Sequence, residues 1–278
     1  MNPGYEFSVV FPCLNSSEYT EKFLNSIVDC GYSLSNYVAV NNGSTDTTSE
    51  LLASYKDLNV VNNKKNYGFG IALNQGVMFK QTEWTILSNN DLVVSNDWVE
   101  NLINSAIKNN LRVISPALIE GEYDYDLNNF TNSLSNDIKN YVRIGDTHAV
   151  CLAVHESVWD DVGLFRPFTK LFGYEDKLFF HELKKKKIST GISGASWLHH
   201  YGSITQKKMK KDLGLKVKES IADSNHSRLL CQNLFSRKID KFKRNKLRRN
   251  AIQSEIRSFG ISVMGTRSEG EFVWDQYF

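Results

Sequence analysis

The sequence predicts an α/β fold, a mostly parallel sheet flanked by helices, with a basic helical extension at its C-terminal end. Three observations carry that expectation. Short β-rich runs alternate with stretches of helical periodicity through residues 7–107. Polar clusters at 13–17, 41–46 and 89–91 each follow a strand, which places them on one sheet edge, where such folds bind ligands. From residue 206 onward, basic residues interleave with apolar ones.

Residues 7–11 form the first strand, which Pro12 is expected to end, and Asn15-Ser16-Ser17 offers a helix N-cap. Tyr19, Phe23 and Ile27 then recur at the spacing of one helix face. Residues 37–40 are a second strand, broken by Asn41-Asn42-Gly43, and Ser44-Thr45-Asp46 caps a helix running to Tyr55. Residues 59–61 are a third strand, 66–70 a turn and 71–79 a helix. A fourth strand at 84–87 ends in Ser88-Asn89-Asn90-Asp91, and 98–107 is helical. Residues 120–146, Asn/Asp-rich and without a strong period, read as an irregular segment near the acceptor side of the site. A helix at 175–187 and a Gly-bearing segment ending at Trp197-Leu198-His199-His200 restore the α/β pattern. Phe235, Ile239 and Phe242 share one helix face, as do Ile252, Ile256 and Phe259.

A chain of 278 residues suits one large domain, or a domain of about 200 residues with an appendage. With 41% hydrophobic and 23% charged residues, it is neither disordered nor fibrous. The longest apolar run, 149–154, is far shorter than the roughly 18 residues a membrane crossing needs, so no transmembrane segment is expected. Residues 1–7 lack the basic and apolar regions of a signal peptide. Cys13, Cys30, Cys151 and Cys231 are widely spaced with no CxxC, which fits a reducing cytoplasm better than a disulfide or zinc framework. The net charge of +2 conceals a division. Residues 205–278 hold 17 Lys and Arg against 8 Asp and Glu, or +9, and the remaining 16 against 23 give −7. That asymmetry suggests a polyanionic partner for the tail.

The polar clusters carry a resemblance. Ser8-Val-Val-Phe-Pro-Cys-Leu-Asn15, Val40-Asn-Asn-Gly-Ser-Thr-Asp46, Asn66-Tyr-Gly-Phe-Gly-Ile-Ala-Leu-Asn-Gln-Gly76, Leu87-Ser-Asn-Asn-Asp91, Gly173-Tyr-Glu-Asp176 and His200-Tyr-Gly-Ser203 occur in the order of family 2 inverting glycosyltransferases, which this chain resembles over about residues 5–205. The resemblance implies the Rossmann-like, nucleotide-binding GT-A fold for residues 1–205, leaving 206–278 as a basic, mainly helical extension. It also implies sugar transfer from a nucleotide-sugar donor, most simply a UDP-sugar, to an acceptor hydroxyl, assisted by Mn2+ or Mg2+.

On that basis Asp91 is a metal ligand, since hard cations prefer carboxylate oxygens, and His200 is the second, with His199 its rival. Asn89 stands where the family has an acid, which thins the negative charge around the cation. Asp176 is the candidate general base for the acceptor proton, and Glu175 either substitutes for it or orients the acceptor. Leu178 and Arg166 stand where the family often has acids, so the departures concern the acceptor rather than the reaction. Asn41 occupies the position of the acid that accepts the uracil N3–H, and an amide oxygen accepts equally, though thymidine and cytidine nucleotides stay open. Pro12, Asn15, Gly70, Asn74, Asn89 and Asn90 are expected to line the remainder of the nucleotide-sugar site.

The default acceptor is a saccharide or lipid-linked saccharide in bacterial surface polysaccharide synthesis, with the enzyme cytoplasmic or peripheral at the inner membrane face. Eight basic residues between Arg237 and Arg249, against Asp240 alone, suit an anionic membrane surface, a nucleic acid or a solvated helix face. Two alternatives follow. One is a bacteriophage-type transferase that glycosylates hydroxymethylated pyrimidines of DNA in the host cytoplasm. The other is a nucleotide-binding pseudoenzyme, motivated by neutral Asn41 and Asn89.

Overall fold

The computed structural model describes residues 4–167, 175–202 and 234–275. The expected α/β architecture is present. Strands β1 (Phe7–Cys13), β2 (Tyr37–Asn41), β3 (Asn59–Asn62) and β4 (Trp84–Ser88) lie parallel in the order β3-β2-β1-β4. Helices α1 (Ser17–Asp29), α2 (Thr48–Ser54) and α3 (Phe69–Phe79) make the crossovers. The period of two along β1 divides the core. Val9 and Phe11 face Phe23, Leu24 and Ile27 of α1. Val10 faces Ala72, Leu73 and Val77 of α3. Both faces are covered, which is why β1 and β2 read as nearly continuous apolar runs.

Pro12 does not end β1, contrary to expectation: the strand continues to Cys13. Cys13 O accepts from Asn42 N on the β2 side, so Pro12 turns its missing N–H toward β4. Pairing with β4 stops at Val10, so no ladder bond is lost there.

Beyond β4 the sheet is mixed. β8 (Cys151–His155) enters antiparallel between β4 and β6 (Val113–Gly121). β9 (Thr190–His200) runs parallel to β6, with a register shift between Pro116 and Ala117, a bulge that accommodates the proline. β9 also pairs antiparallel with β5 (Leu92–Val94) and β7 (Val142–Ile144). Helices α4 (Trp98–Lys108), α7 (Ser157–Val162) and α8 (Glu175–Lys185) cover this half.

Residues 120–146 are more regular than their composition suggests, and the expectation of an irregular segment is corrected. β6 runs on to Gly121, followed by α5 (Leu127–Ser133), α6 (Asn136–Lys139) and β7. The polar residues are caps: Asp126 accepts from Asn129 N, and Ser135 from Ile138 N. Between them Leu127 and Ile138 are buried, and the Phe130 ring packs edge-on against Trp197 at 5.2 Å.

In the extension, α9 (Leu234–Phe259) leads into β10 (Met264–Ser268) and β11 (Glu271–Val273). β10 joins the sheet parallel to β6, and β11 pairs antiparallel with it. A buried ionic cluster holds α9 down. Glu255 accepts two hydrogen bonds from Arg143, at 2.8 and 2.6 Å, and both side chains are under 4% exposed. Ser262 Oγ and Val263 N also donate to Glu255 Oε2. Asp146 accepts from Arg143 and from Arg248 of α9. Burial pushes the Asp146 carboxyl up, but the guanidinium of Arg248, then that of Arg143, holds it below the usual carboxylate range. Removing one member of a buried pair strands the other's charge. Glu255→Ala is therefore expected to lose about 3–5 kcal/mol in urea unfolding, by leaving Arg143 uncompensated.

Candidate nucleotide-sugar site

The strand-end clusters meet through a network of side-chain amides. Asn15, in a left-handed conformation at φ 50°, accepts from Thr45 N at 2.7 Å, while its own N–H donates to Ser44 Oγ. That locks the β1–α1 turn onto the β2–α2 turn. Buried Asn41 accepts from Ser44 N at 3.1 Å and donates to Ser49 Oγ and Asn62 Oδ1. Asn42, also buried, donates to Asn66 Oδ1 and Gly68 O, and accepts from Asn63 Nδ2 and Tyr67 N. The turn at Gly43 needs φ +82°, and a Cβ there would lie 2.5 Å from the Lys65 carbonyl carbon. Asp46 caps the β2–α2 turn by accepting from Thr48 N.

At the end of β4, Asn89 donates its N–H to Val150 O. Asn90 turns inward and donates to Ser16 Oγ and Thr20 Oγ1 at 2.6 and 2.7 Å, tying β4 to α1. Asp91 follows, 3% exposed. Its neighbour Leu92 pairs with His200 across β5 and β9, and Tyr201 N donates to Asp91 O. This register sets His200 Nε2 3.3 Å from Asp91 Oδ1. His200 Nδ1 lies 3.2 Å from Glu120 Oε1, because Glu120 of β6 is the other register partner of His200. Burial disfavours the charged ring, but Asp91 and Glu120 raise His200 to about 9.

His199 takes the opposite face of β9. Its ring contacts Tyr125 OH and Gly121 O, and it packs edge-on or tilted among Tyr123, Tyr125 and Tyr201. Burial pushes it down to about 4. The structure thus brings His200, and not its rival, to Asp91.

Two ligands in adjacent positions of an octahedral cation, each about 2.1 Å from it, sit about 3 Å apart. The Asp91–His200 separation fits that spacing, and the donor set, one carboxylate oxygen and one imidazole nitrogen that releases its proton as a cation binds, suits a divalent cation. Among the described residues no group of three or more His, Cys, Asp and Glu side chains forms a self-sufficient metal site.

Glu175 and Asp176 open α8. The preceding Gly173-Tyr174 of the same motif lies outside the described residues, as do Ser203 and Cys231. Glu175 is buried, and its Cγ would stand 3.0 Å from a Cβ on Gly70, so the bare glycine lets α3 and α8 meet. Asp176 is half-buried at the rim of an apolar pocket lined by Phe69, Leu73, Leu152, Phe165 and Phe179. Burial raises its carboxyl above the ordinary value, and the N–H of Lys177 works the other way. Asn74 of α3 clamps the Phe165 backbone, donating to its carbonyl at 2.7 Å and accepting from its N–H at 3.0 Å.

This geometry has recognisable relatives. The family model for glycosyl transferase family 2 matches residues 8–155, and the chain belongs to that family. The poly-β-1,6-N-acetyl-D-glucosamine synthase of Staphylococcus epidermidis is 29% identical over 93 residues, 32% of this chain and 23% of the synthase. Glycosyltransferase GlyA of Streptococcus pneumoniae is 24% identical over 164 residues, 58% of this chain and 21% of GlyA. The chain thus spans under a quarter of the length of these relatives. Among solved structures, GalNAc-T7 with UDP, GalNAc and Mn2+ superposes with a TM-score of 0.56 at 14% identity, over 71% of this chain and 44% of that one. Residues 1–349 of S. aureus TarS with UDP-GlcNAc give 0.52 at 15%, over 71% and 59%. These neighbours establish the GT-A fold.

Sequence reasoning missed Glu120 and Asn42. Glu120 had a signal, a carboxylate closing the apolar run at 117–119, as Asp91 follows another. Asn42 had none beyond its place in a polar turn. Asn42→Ala is expected to unfasten the 66–68 turn and to lower stability by about 1–3 kcal/mol in thermal unfolding, because buried donors and acceptors lose their partner.

Proposed function

We propose that the chain transfers a sugar from a nucleotide-sugar donor, UDP-linked, to an acceptor hydroxyl with inversion at the anomeric carbon. The acceptor is a growing surface polysaccharide or a lipid-linked saccharide. The observation that carries this reading is the meeting of Asp91 and His200, distant in sequence, beside the amide-lined strand ends of a GT-A sheet. The names of the relatives, a polysaccharide synthase and a glycosyltransferase, support it.

Asp91 Oδ1 and His200 Nε2 would hold Mn2+ or Mg2+. When bound, that cation supplies positive charge to the leaving diphosphate. Asp176 takes the acceptor proton at its carboxylate, and its partial burial makes it a stronger base than an exposed aspartate. Glu175, packed on Gly70, orients the acceptor or stands in as base. Asn41 keeps its amide oxygen oriented through Ser44 N, and the second lone pair of that oxygen is suited to the uracil N3–H. Asn15, Asn74, Pro12, Asn89 and Asn90 shape the walls, chiefly by fixing the turns around the donor.

A panel of nucleotide sugars with and without Mn2+, read by thermal unfolding, tests the donor. A UDP-sugar is expected to raise Tm more with Mn2+ than without, and Asp91→Ala to abolish the metal-dependent part. Asp176→Asn is expected to keep donor binding while slowing transfer by about 10²–10⁴-fold. No Tm response to any nucleotide sugar would sink the reading. Equal turnover in wild type and Asp176→Asn would remove the base assignment alone.

A further inference from the structure

Helix α9 combines strong positive charge with exposed apolar surface. Phe242 and Leu247 are each 70% exposed and Ile239 is 38% exposed. Lys241, Lys243, Arg244 and Lys246, between and beside them, are exposed as well. From Arg248 onward one side of the helix is committed to the body. Ile252 and Glu255 are buried, Glu255 is held by Arg143, and Arg248 by Asp146.

At 100° per residue, residues 239, 243 and 246 project away from 252 and 255, with 242 and 247 flanking them. The outward face therefore carries Ile239, Phe242, Lys243, Lys246 and Leu247 in one stripe. The clamps at 248 and 255 prevent the helix from rolling this stripe inward. A stripe of apolar side chains interleaved with lysines matches an anionic bilayer surface. The apolar groups enter the headgroup boundary, and the lysines extend their stems to place ammonium groups at the phosphates. A nucleic acid would use the cations, but Ile239 and Leu247 have no planar face to stack on a base.

We propose that α9 is a membrane-docking helix that seats the protein on anionic lipid through Ile239, Phe242 and Leu247, with Lys243 and Lys246 pairing to lipid phosphates. Among the described residues no helix is long and apolar enough to cross a membrane, so this contact is interfacial. It extends the proposed function by bringing the site to a lipid-bearing surface, and it is separate from Asp91, His200 and Asp176.

Flotation with phosphatidylcholine vesicles, with and without phosphatidylglycerol, tests it. The wild-type chain is expected to float with the phosphatidylglycerol vesicles alone, less so as salt rises. The double variants Phe242→Ser/Leu247→Ser and Lys243→Glu/Lys246→Glu are each expected to weaken binding at least about tenfold, with Tm and nucleotide-sugar response unchanged. Absence of flotation at low salt, or flotation unaffected by either double variant, overturns the proposal. A duplex-DNA gel shift that survives Phe242→Ser/Leu247→Ser, without vesicle binding, assigns the helix to nucleic acid and overturns it too. Because the nucleotide-sugar response is measured on the same samples, failure of docking and failure of the transferase reading are distinguishable.

Discussion

The antiparallel pairing of β5 with β9 is the constraint on which the site depends. It matches Leu92 to His200 and brings Tyr201 N onto the Asp91 carbonyl. Asp91 and His200 are far apart in sequence, and Asp91, in the three-residue connection from β4 to β5, is held by Tyr201 N rather than free to search for its partner. A slip of one residue would present His199 to Asp91 and turn His200 into the Tyr123–Tyr125 cluster, because side chains alternate across a strand. The parallel pairing of β6 with β9 fixes the same register a second time, through Glu120 and His200. Burial then makes these contacts consequential, since charges in a poorly solvated site feel each other strongly.

Around this pair the turns are built largely from neutral amides. Asn15, Asn41, Asn42, Asn63 and Asn66 bind one another and nearby backbone groups. An amide both donates and accepts, so one Asn can hold two turns at once, where a carboxylate could only accept. Asn42 does this with the 66–68 segment, and Asn15 joins the first two turns. Asp91 and Glu120 supply the negative charge that flanks His200.

The N-terminal half was legible because its signals are local. Alternation along β1, a 3.6-residue period in α1 and polar residues at strand ends all fall within short windows. The expected endings missed where long-range pairing decided. Pro12 stayed in β1 because β4 had already stopped pairing. Residues 120–146 became regular because Leu127, Phe130 and Ile138 found Trp197, a partner far along the chain. β10 and β11 are short and follow a turn, and β10 exists by pairing with β6, so no local pattern announces it. In the sequence only the family resemblance favours His200 over His199, since adjacent strand residues are otherwise distinguished by which face is covered.

Asp91 and His200 are proposed to act as one cation-binding pair. Electron paramagnetic resonance of Mn2+ titrated in the presence of UDP tests it most directly. Asp91→Ala and His200→Ala are each expected to weaken Mn2+ retention by more than about tenfold, while His199→Gln retains it. Wild-type Mn2+ affinity in Asp91→Ala, or loss in His199→Gln with His200→Ala unaffected, would contradict it.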